Sequence, residues 1–233
     1  MADPRAETRG ERVARRARLS DVFPLSTGAG LRLTNGRRDR VVICVNGGQA
    51  GEVDGTWSAT LEWLAKRLAG RFPEVGLAEV RYRTKSWKQF ERCVDDARAA
   101  VREFGGSRTV LLGFSMGGAV AIAAAGEPSV ERIVGVAPWI PDRLGLETLG
   151  GKPLDVLHGS LDRYLPGIPG VSPASSRLGF ERARALGSMG SYTLIRGGVH
   201  GVALRVPGGG LVPLPRARLW LRLLASHVER FAA

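Results

Sequence analysis

The sequence predicts an α/β domain built on a doubly wound, mostly parallel sheet flanked by helices. Three observations predict it. Strand-like and helix-like segments alternate along nearly the whole chain, the order expected when helices cover both faces of a parallel sheet. Val41-Val42-Ile43-Cys44-Val45 is an uninterrupted apolar run, as befits a strand buried on both faces. Gly113-Phe114-Ser115-Met116-Gly117-Gly118 stands between the apolar run Val110-Leu111-Leu112 and the small-residue run Ala119-Val120-Ala121-Ile122-Ala123. There a strand enters a sharp turn and a helix leaves it.

The elements follow in order. Residues 1–20 read as a charged arm, and 21–233 as one domain. Phe23-Pro24-Leu25 and Leu31-Arg32-Leu33 predict short strands around a Gly28-Ala29-Gly30 turn. The strand over 41–45 is followed by a glycine-rich loop, Asn46-Gly47-Gly48-Gln49-Ala50-Gly51. Trp57, Leu61, Leu64, Leu68 and Phe72 recur at three- and four-residue steps and predict a helix. Leu77 to Tyr82 predicts a strand. Ser86-Trp87-Lys88-Gln89 has capping-box spacing, and Trp87, Phe90, Val94, Ala97, Val101 and Phe104 form a helical stripe of core anchors ended by Gly105-Gly106. Thr109–Leu112 and Ile133–Ala137 predict strands flanking the helix after Ser115, with Leu154–Leu157 and Tyr192–Ile195 as the last two. Between those two, Leu178, Phe180, Ala183 and Leu186 fit a helix, and Leu219, Trp220, Leu223, Leu224, Val228 and Phe231 fit a closing one. The Gly/Pro-rich stretches 166–173 and 205–215 read as surface loops, each placed to shape a substrate rim.

Composition narrows the function classes. With 233 residues, 44% of them hydrophobic, the chain suits one domain with a substantial core. No segment has the apolar length of a membrane span, and the charged N-terminus lacks the apolar stretch of a secretory signal. Two cysteines, Cys44 and Cys93, match no metal motif and read as reduced thiols of a cytoplasmic protein. The net charge of +12 raises the question of nucleic acid. The basic residues are scattered and not interleaved with aromatics, so the densest group, Arg9, Arg12, Arg15, Arg16 and Arg18, reads as a solvated arm.

The chemistry centres on Ser115. The turn strains its backbone and lifts its hydroxyl above the carboxyl edge of the sheet, facing the amides that open the next helix. A serine hydroxyl needs a base, and the base an orienting acid. Only three histidines are present. His200, in Gly197-Gly198-Val199-His200-Gly201, leaves the carboxyl end of a strand and ranks first. His158, in Leu157-His158-Gly159, is expected to brace the acid loop, and His227 to lie on the surface of the last helix. Asp162 follows another strand and falls between serine and histidine in the chain. Asp142, in Trp139-Ile140-Pro141-Asp142, is the rival acid.

These motifs, Gly-Phe-Ser-Met-Gly-Gly at 113, His-Gly-Ser-Leu-Asp at 158 and Gly-Gly-Val-His-Gly at 197, resemble those of the α/β-hydrolase superfamily over roughly residues 22–231. Arg81-Tyr82-Arg83 and Val136-Ala137-Pro138-Trp139 resemble small bacterial hydrolases of dienelactone-hydrolase or esterase type. The resemblance implies a catalytic triad of Ser115, Asp162 and His200. It also places an oxyanion hole in the loop after Val45, where many relatives have His-Gly-x and this chain has Asn46-Gly47-Gly48. The backbone N–H of Gly48, with Gln49 as an alternative, would pair with that of Met116. Only a short connection separates the strands near Ala137 and Leu154, so little or no cap is expected. Trp139, Tyr164 and Leu165 are candidate pocket residues beside Gln49. The expected activity is hydrolysis of a small-molecule carboxylic ester or thioester, with peptidase or lactonase chemistry and a non-catalytic binding role as alternatives. The reading requires no metal or organic cofactor and no membrane partner, and expects no nucleic-acid partner despite the basic charge.

Overall fold

The computed structural model describes residues 22–163 and 170–233. The central sheet has eight strands, β1 (Val22–Pro24), β2 (Gly30–Leu33), β3 (Arg40–Val45), β5 (Gly76–Arg81), β7 (Arg108–Phe114), β8 (Val130–Val136), β9 (Leu154–Gly159) and β10 (Tyr192–Ile195), in the order β1-β2-β5-β3-β7-β8-β9-β10. From β5 to β10 every neighbouring pair is parallel, and β2 joins β5 antiparallel. Two small ribbons lie outside it, β4 (Val53–Asp54) with β6 (Thr84–Lys85), and β11 (Ala203–Arg205) with β12 (Leu211–Pro213).

Alternation along the strands builds two cores. Val41, Ile43 and Val45 point to one face, under α2 (Phe90–Phe104), α3 (Met116–Ala123) and α4 (Pro173–Ala185). Val42 and Cys44 point to the other, under α1 (Ala59–Arg71) and α5 (Ala217–Ala232). Helices on both faces are what an unbroken apolar strand requires. Cys44 and Cys93 are buried free thiols, and burial, first among the causes, pushes Cys93 up to about 11.

Several local expectations are corrected. α1 begins after Ser58, whose hydroxyl accepts from the Leu61 N–H, so Trp57 precedes the helix and lies under the guanidinium groups of Arg32 and Arg81. No capping box forms at α2. Ser86 accepts from the Lys88 N–H, and Gln89 turns its amide to Glu52. In α4, Phe180 and Ala183 are buried but Leu178 and Leu186 face solvent, because Ser176 and Gly179 occupy the inner face. The stretch 205–215 carries the β11–β12 ribbon. The charged arm, Tyr164, Leu165 and the segment 166–169 lie outside the described residues.

The connection from β8 to β9 carries one short 3-10 turn, Glu147–Leu149, and no cap helices. This connection therefore places no helical cap over the carboxyl edge of the sheet. No helix of the described residues is long and apolar enough to cross a membrane.

Candidate active site

Ser115 sits between β7 and α3 with φ 57° and ψ −122°, a conformation rare for a side-chain-bearing residue. The neighbours hold it there. The Ser115 N–H donates to the Val136 carbonyl at 3.1 Å, and the Ser115 carbonyl accepts from the N–H groups of Gly118 and Trp139, both at 2.9 Å. The turn also demands its glycines. A Cβ on Gly117 would overlap the Val45 carbonyl, and one on Gly113 the Gly117 carbonyl. Backbone strain in this turn is thus held by close packing of β3, β7 and α3.

His200 leaves the end of β10 in a loop fastened to α1, where Thr60 Oγ1 accepts from the Val202 N–H at 2.9 Å. Its ring lies 5.1 Å from that of Phe114, and Nε2 is 3.2 Å from Ser115 Oγ. Nδ1 is 2.7 Å from Asp162 Oδ2. A carboxylate only accepts, so Nδ1 carries the proton and Nε2 presents its lone pair to the serine hydroxyl.

Asp162 follows β9 and is fully buried. Its Oδ1 accepts from the Val171 N–H at 2.9 Å. Burial would raise its pKa, but hydrogen bonds from His158 and His200 outweigh burial and hold the carboxyl below its ordinary value. His158, also fully buried, reaches the same Oδ2 with Nε2 at 3.2 Å and the Val171 carbonyl at 2.9 Å. Both neighbours are acceptors, so Nε2 bears the proton, and Nδ1 has no partner. His158 packs beneath the acid. Asp142 lies elsewhere, its side chain 96% exposed and 3.5 Å from Arg182.

Across from Ser115, the loop after β3 is tied down by hydrogen bonds. Asn46 Oδ1 accepts from the Gly47 N–H at 2.7 Å, Nδ2 donates to the Thr56 carbonyl at 2.6 Å, and the Tyr82 hydroxyl donates to the Asn46 carbonyl at 2.8 Å. The Gly47 amide is thereby spent. The amides of Gly48, Gln49 and Met116 donate to no acceptor among the described residues. Gly48 is constrained as well, since a Cβ there would collide with Met116 Sδ and the Trp87 ring.

Two openings meet at Ser115. One, of about 250 Å³, is lined by Ser115, Met116, Trp87, Trp139, Arg143 and Val171. The other, of about 360 Å³, includes Gly48, Gln49, Trp57, Lys85 and His200. Trp87 lines both. The sequence reads Trp87 as a core anchor at helical spacing; it does pack against the core, but it precedes α2, and its backbone N–H donates to the Gln49 carbonyl at 3.0 Å. Its place between a serine turn and the first residue of a helix was the signal available. His227, expected on the surface, is buried against Asp155. No group of three or more metal-ligating side chains that could hold an ion occurs among the described residues.

No protein-family model and no curated protein matches the sequence. Solved structures do match. MGS-M1, an alpha/beta hydrolase enzyme from a Medee basin deep-sea metagenome library, is 16% identical with a TM-score of 0.64, over 91% of this chain and 98% of that one. The propionate-bound thermophilic esterase Est2 of Thermogutta terrifontis is 18% identical with a TM-score of 0.62, over 90% of this chain and 93% of that one. The same esterase phosphoramylated by tabun is 19% identical with a TM-score of 0.61, over the same 90% and 93%. The dienelactone-hydrolase part of the sequence resemblance has no counterpart in these three.

Proposed function

We propose that this chain, which has the α/β-hydrolase fold, is a serine hydrolase that cleaves a carboxylic ester or thioester through an acyl-enzyme. The observation that carries the reading is the hydrogen-bonded series from Ser115 Oγ to His200 Nε2, 3.2 Å, and from His200 Nδ1 to Asp162 Oδ2, 2.7 Å. The esterases and the alpha/beta hydrolase that share the fold add support at the level of the fold.

The chemistry follows from proton placement. Ser115 Oγ attacks the carbonyl carbon as its proton passes to His200 Nε2. The imidazolium so formed is stabilised by ionised Asp162. Negative charge develops on the carbonyl oxygen, where the amides of Gly48 and Met116 are unspent, with Gln49 adjacent; one such donor is worth about 3 kcal/mol. His200 then gives its proton to the leaving oxygen or sulfur. Water, deprotonated by the same nitrogen, clears the acyl group and regenerates Ser115.

The test is p-nitrophenyl acetate hydrolysis with pre-steady-state sampling, alongside fluorophosphonate labelling, on wild type and Ser115→Ala. A burst, turnover and labelling in wild type, all lost in the variant, are expected. Activity that survives Ser115→Ala, or a wild type that neither turns over nor labels, would overturn the reading.

A further inference from the structure

We infer that the acid portion of the substrate carries a second oxyanion, with a carboxylate the simplest case, bound where the cleft running from Ser115 between Trp87 and Trp139 reaches Arg143, Lys88 and Arg98. The inference rests on the ester or thioester reading above and specifies its substrate class.

The leaving group must take its proton from His200 Nε2, so it lies on the side of Ser115 that His200 lines. That is the opening with Gln49, Trp57 and Lys85. The acyl group is left with the opposite opening, of about 250 Å³, walled by Trp87, Met116, Trp139 and Val171. This volume lies just under the usual range for ligand pockets, about 300–1,000 Å³. The opening does not end there. Trp87, Trp139 and Arg143 also line a further cavity of about 440 Å³. An acyl chain that fills the first space therefore projects its far end into the second.

The second space has an unequal charge. Lys88, Arg98 and Arg143 line it against a single lining carboxylate, Glu91, with Glu147 approaching from behind Gly145. Arg98 is held in place by donating to the Ala123 carbonyl at 3.0 Å, and no carboxylate pairs with it among the described residues. Among the described residues the side chains of Lys88 and Arg143, both exposed, make no hydrogen bond or ion pair. Arg143 also lines the nearer opening, at the junction. A guanidinium presents a planar fork of donors that matches a carboxylate. The indole walls suit the uncharged stem between the two carbonyl carbons.

The experiment compares two p-nitrophenyl esters of matched length, the adipate half-ester and the neutral heptanoate, by kcat/KM. Wild type is expected to favour the adipate half-ester by about tenfold, the effect of several partly exposed cations acting on one anion. The preference shrinks as salt screens it. The Lys88→Gln, Arg143→Gln double variant brings the ratio to about one, and Arg143→Glu takes it lower still. Both side chains are exposed and make no contacts that the fold needs, and circular dichroism checks that the variants fold. A wild-type ratio at or below one overturns the inference, as does a ratio unchanged in the double variant. If the neutral ester is turned over and Ser115 takes the fluorophosphonate, such a result leaves the serine-hydrolase reading standing. If neither ester reacts and Ser115 does not label, both fall.

Discussion

Strand β9 has a buried carboxylate near each end, and each meets a histidine. At its start, Asp155 lies beside His227. Beyond its end, Asp162 lies beside His200. Asp155 is saturated. Its Oδ1 accepts from the N–H and hydroxyl of Ser191 at 3.0 and 2.7 Å, and Arg132 pairs with Oδ2. His227 Nδ1 lies 3.3 Å from that Oδ2 and 2.8 Å from Arg230, so one nitrogen faces two claims and can satisfy one at a time. At Asp162 the imidazole of His200 divides its work, with Nδ1 for the acid and Nε2 for a hydroxyl in an open cleft. Burial opposes ionisation of both carboxyls, yet their partners hold both below the ordinary range. A depressed acid beside a histidine is therefore common to a structural lock and to the proposed proton relay. What separates them is the second ring nitrogen and what it faces.

The sharpest way to break this comparison is to remove each histidine. His200→Ala is expected to lower kcat by about 10⁴-fold or more, with little change in unfolding free energy. His227→Ala is expected to leave kcat within about twofold and to lower stability by about 1–3 kcal/mol, since it removes a buried side chain packed against buried Asp155. Ester kinetics and urea denaturation on both variants check the pair. A catalytic loss in His227→Ala as large as that in His200→Ala would erase the distinction. The acids should divide likewise. Asp162→Asn is expected to cost about 10⁴-fold in kcat by disturbing the His200 tautomer, whereas Asp155→Asn should act on stability through Arg132 and leave the rate within a few-fold.

The sequence revealed these regions unequally, for physical reasons. The parallel strands and Ser115 were legible because both follow local rules, the unbroken apolar run and the glycines that permit a close turn. His200 and Asp162 were legible by their positions after strands, since such loops gather at one edge of the sheet. Trp87 packs against the core as its spacing to Phe90 suggests, but the helix begins only at Phe90, and this leaves part of the ring to the cleft, which the spacing does not reveal. Burial of His227 was not legible, because it depends on Asp155 and Arg132 arriving from other strands. The ribbon β11–β12 was hidden by its glycine and proline content, which resembles loop.

A smaller effect sharpens the Asp162 side. His158 Nε2 is hydrogen-bonded to the Val171 carbonyl at 2.9 Å and lies 3.2 Å from the oxygen that also serves His200, so it competes for part of the charge available to an imidazolium at His200. His158→Phe, which keeps a ring parallel to Tyr192, should leave that charge undivided. kcat/KM at neutral pH should then rise by up to about twofold, because an undivided anion better stabilises the imidazolium formed in the transition state. His158→Gln, which can restore a donor, should bring it back. A fall in rate in both variants would make His158 a packing residue only.

The smallest expected effect concerns a carboxylate with no histidine at all. Glu62 on α1 is paired with Arg32, Lys66 and Arg205. Burial opposes its ionisation, but hydrogen bonds from Lys66, Arg205 and Arg32 bring it down to about 2. A depressed carboxyl contributes its full stabilisation above its unfolded pKa, about 4.3, and loses it as pH falls through its folded value. Glu62 should thus make stability fall between pH 4 and about 2. Asp155 and Asp162 are lowered too, so the fall should persist in Glu62→Gln with a shallower slope. Arg205 belongs to β11, close behind the His200 loop, and Thr60 on the same helix holds that loop at Val202. The rate in Glu62→Gln at neutral pH should nevertheless stay within about threefold, because Thr60 keeps its contact. Urea midpoints measured from pH 2 to 7 on wild type and variant decide it, and superimposable curves would show that the charges around Glu62 do no more than solvate one another.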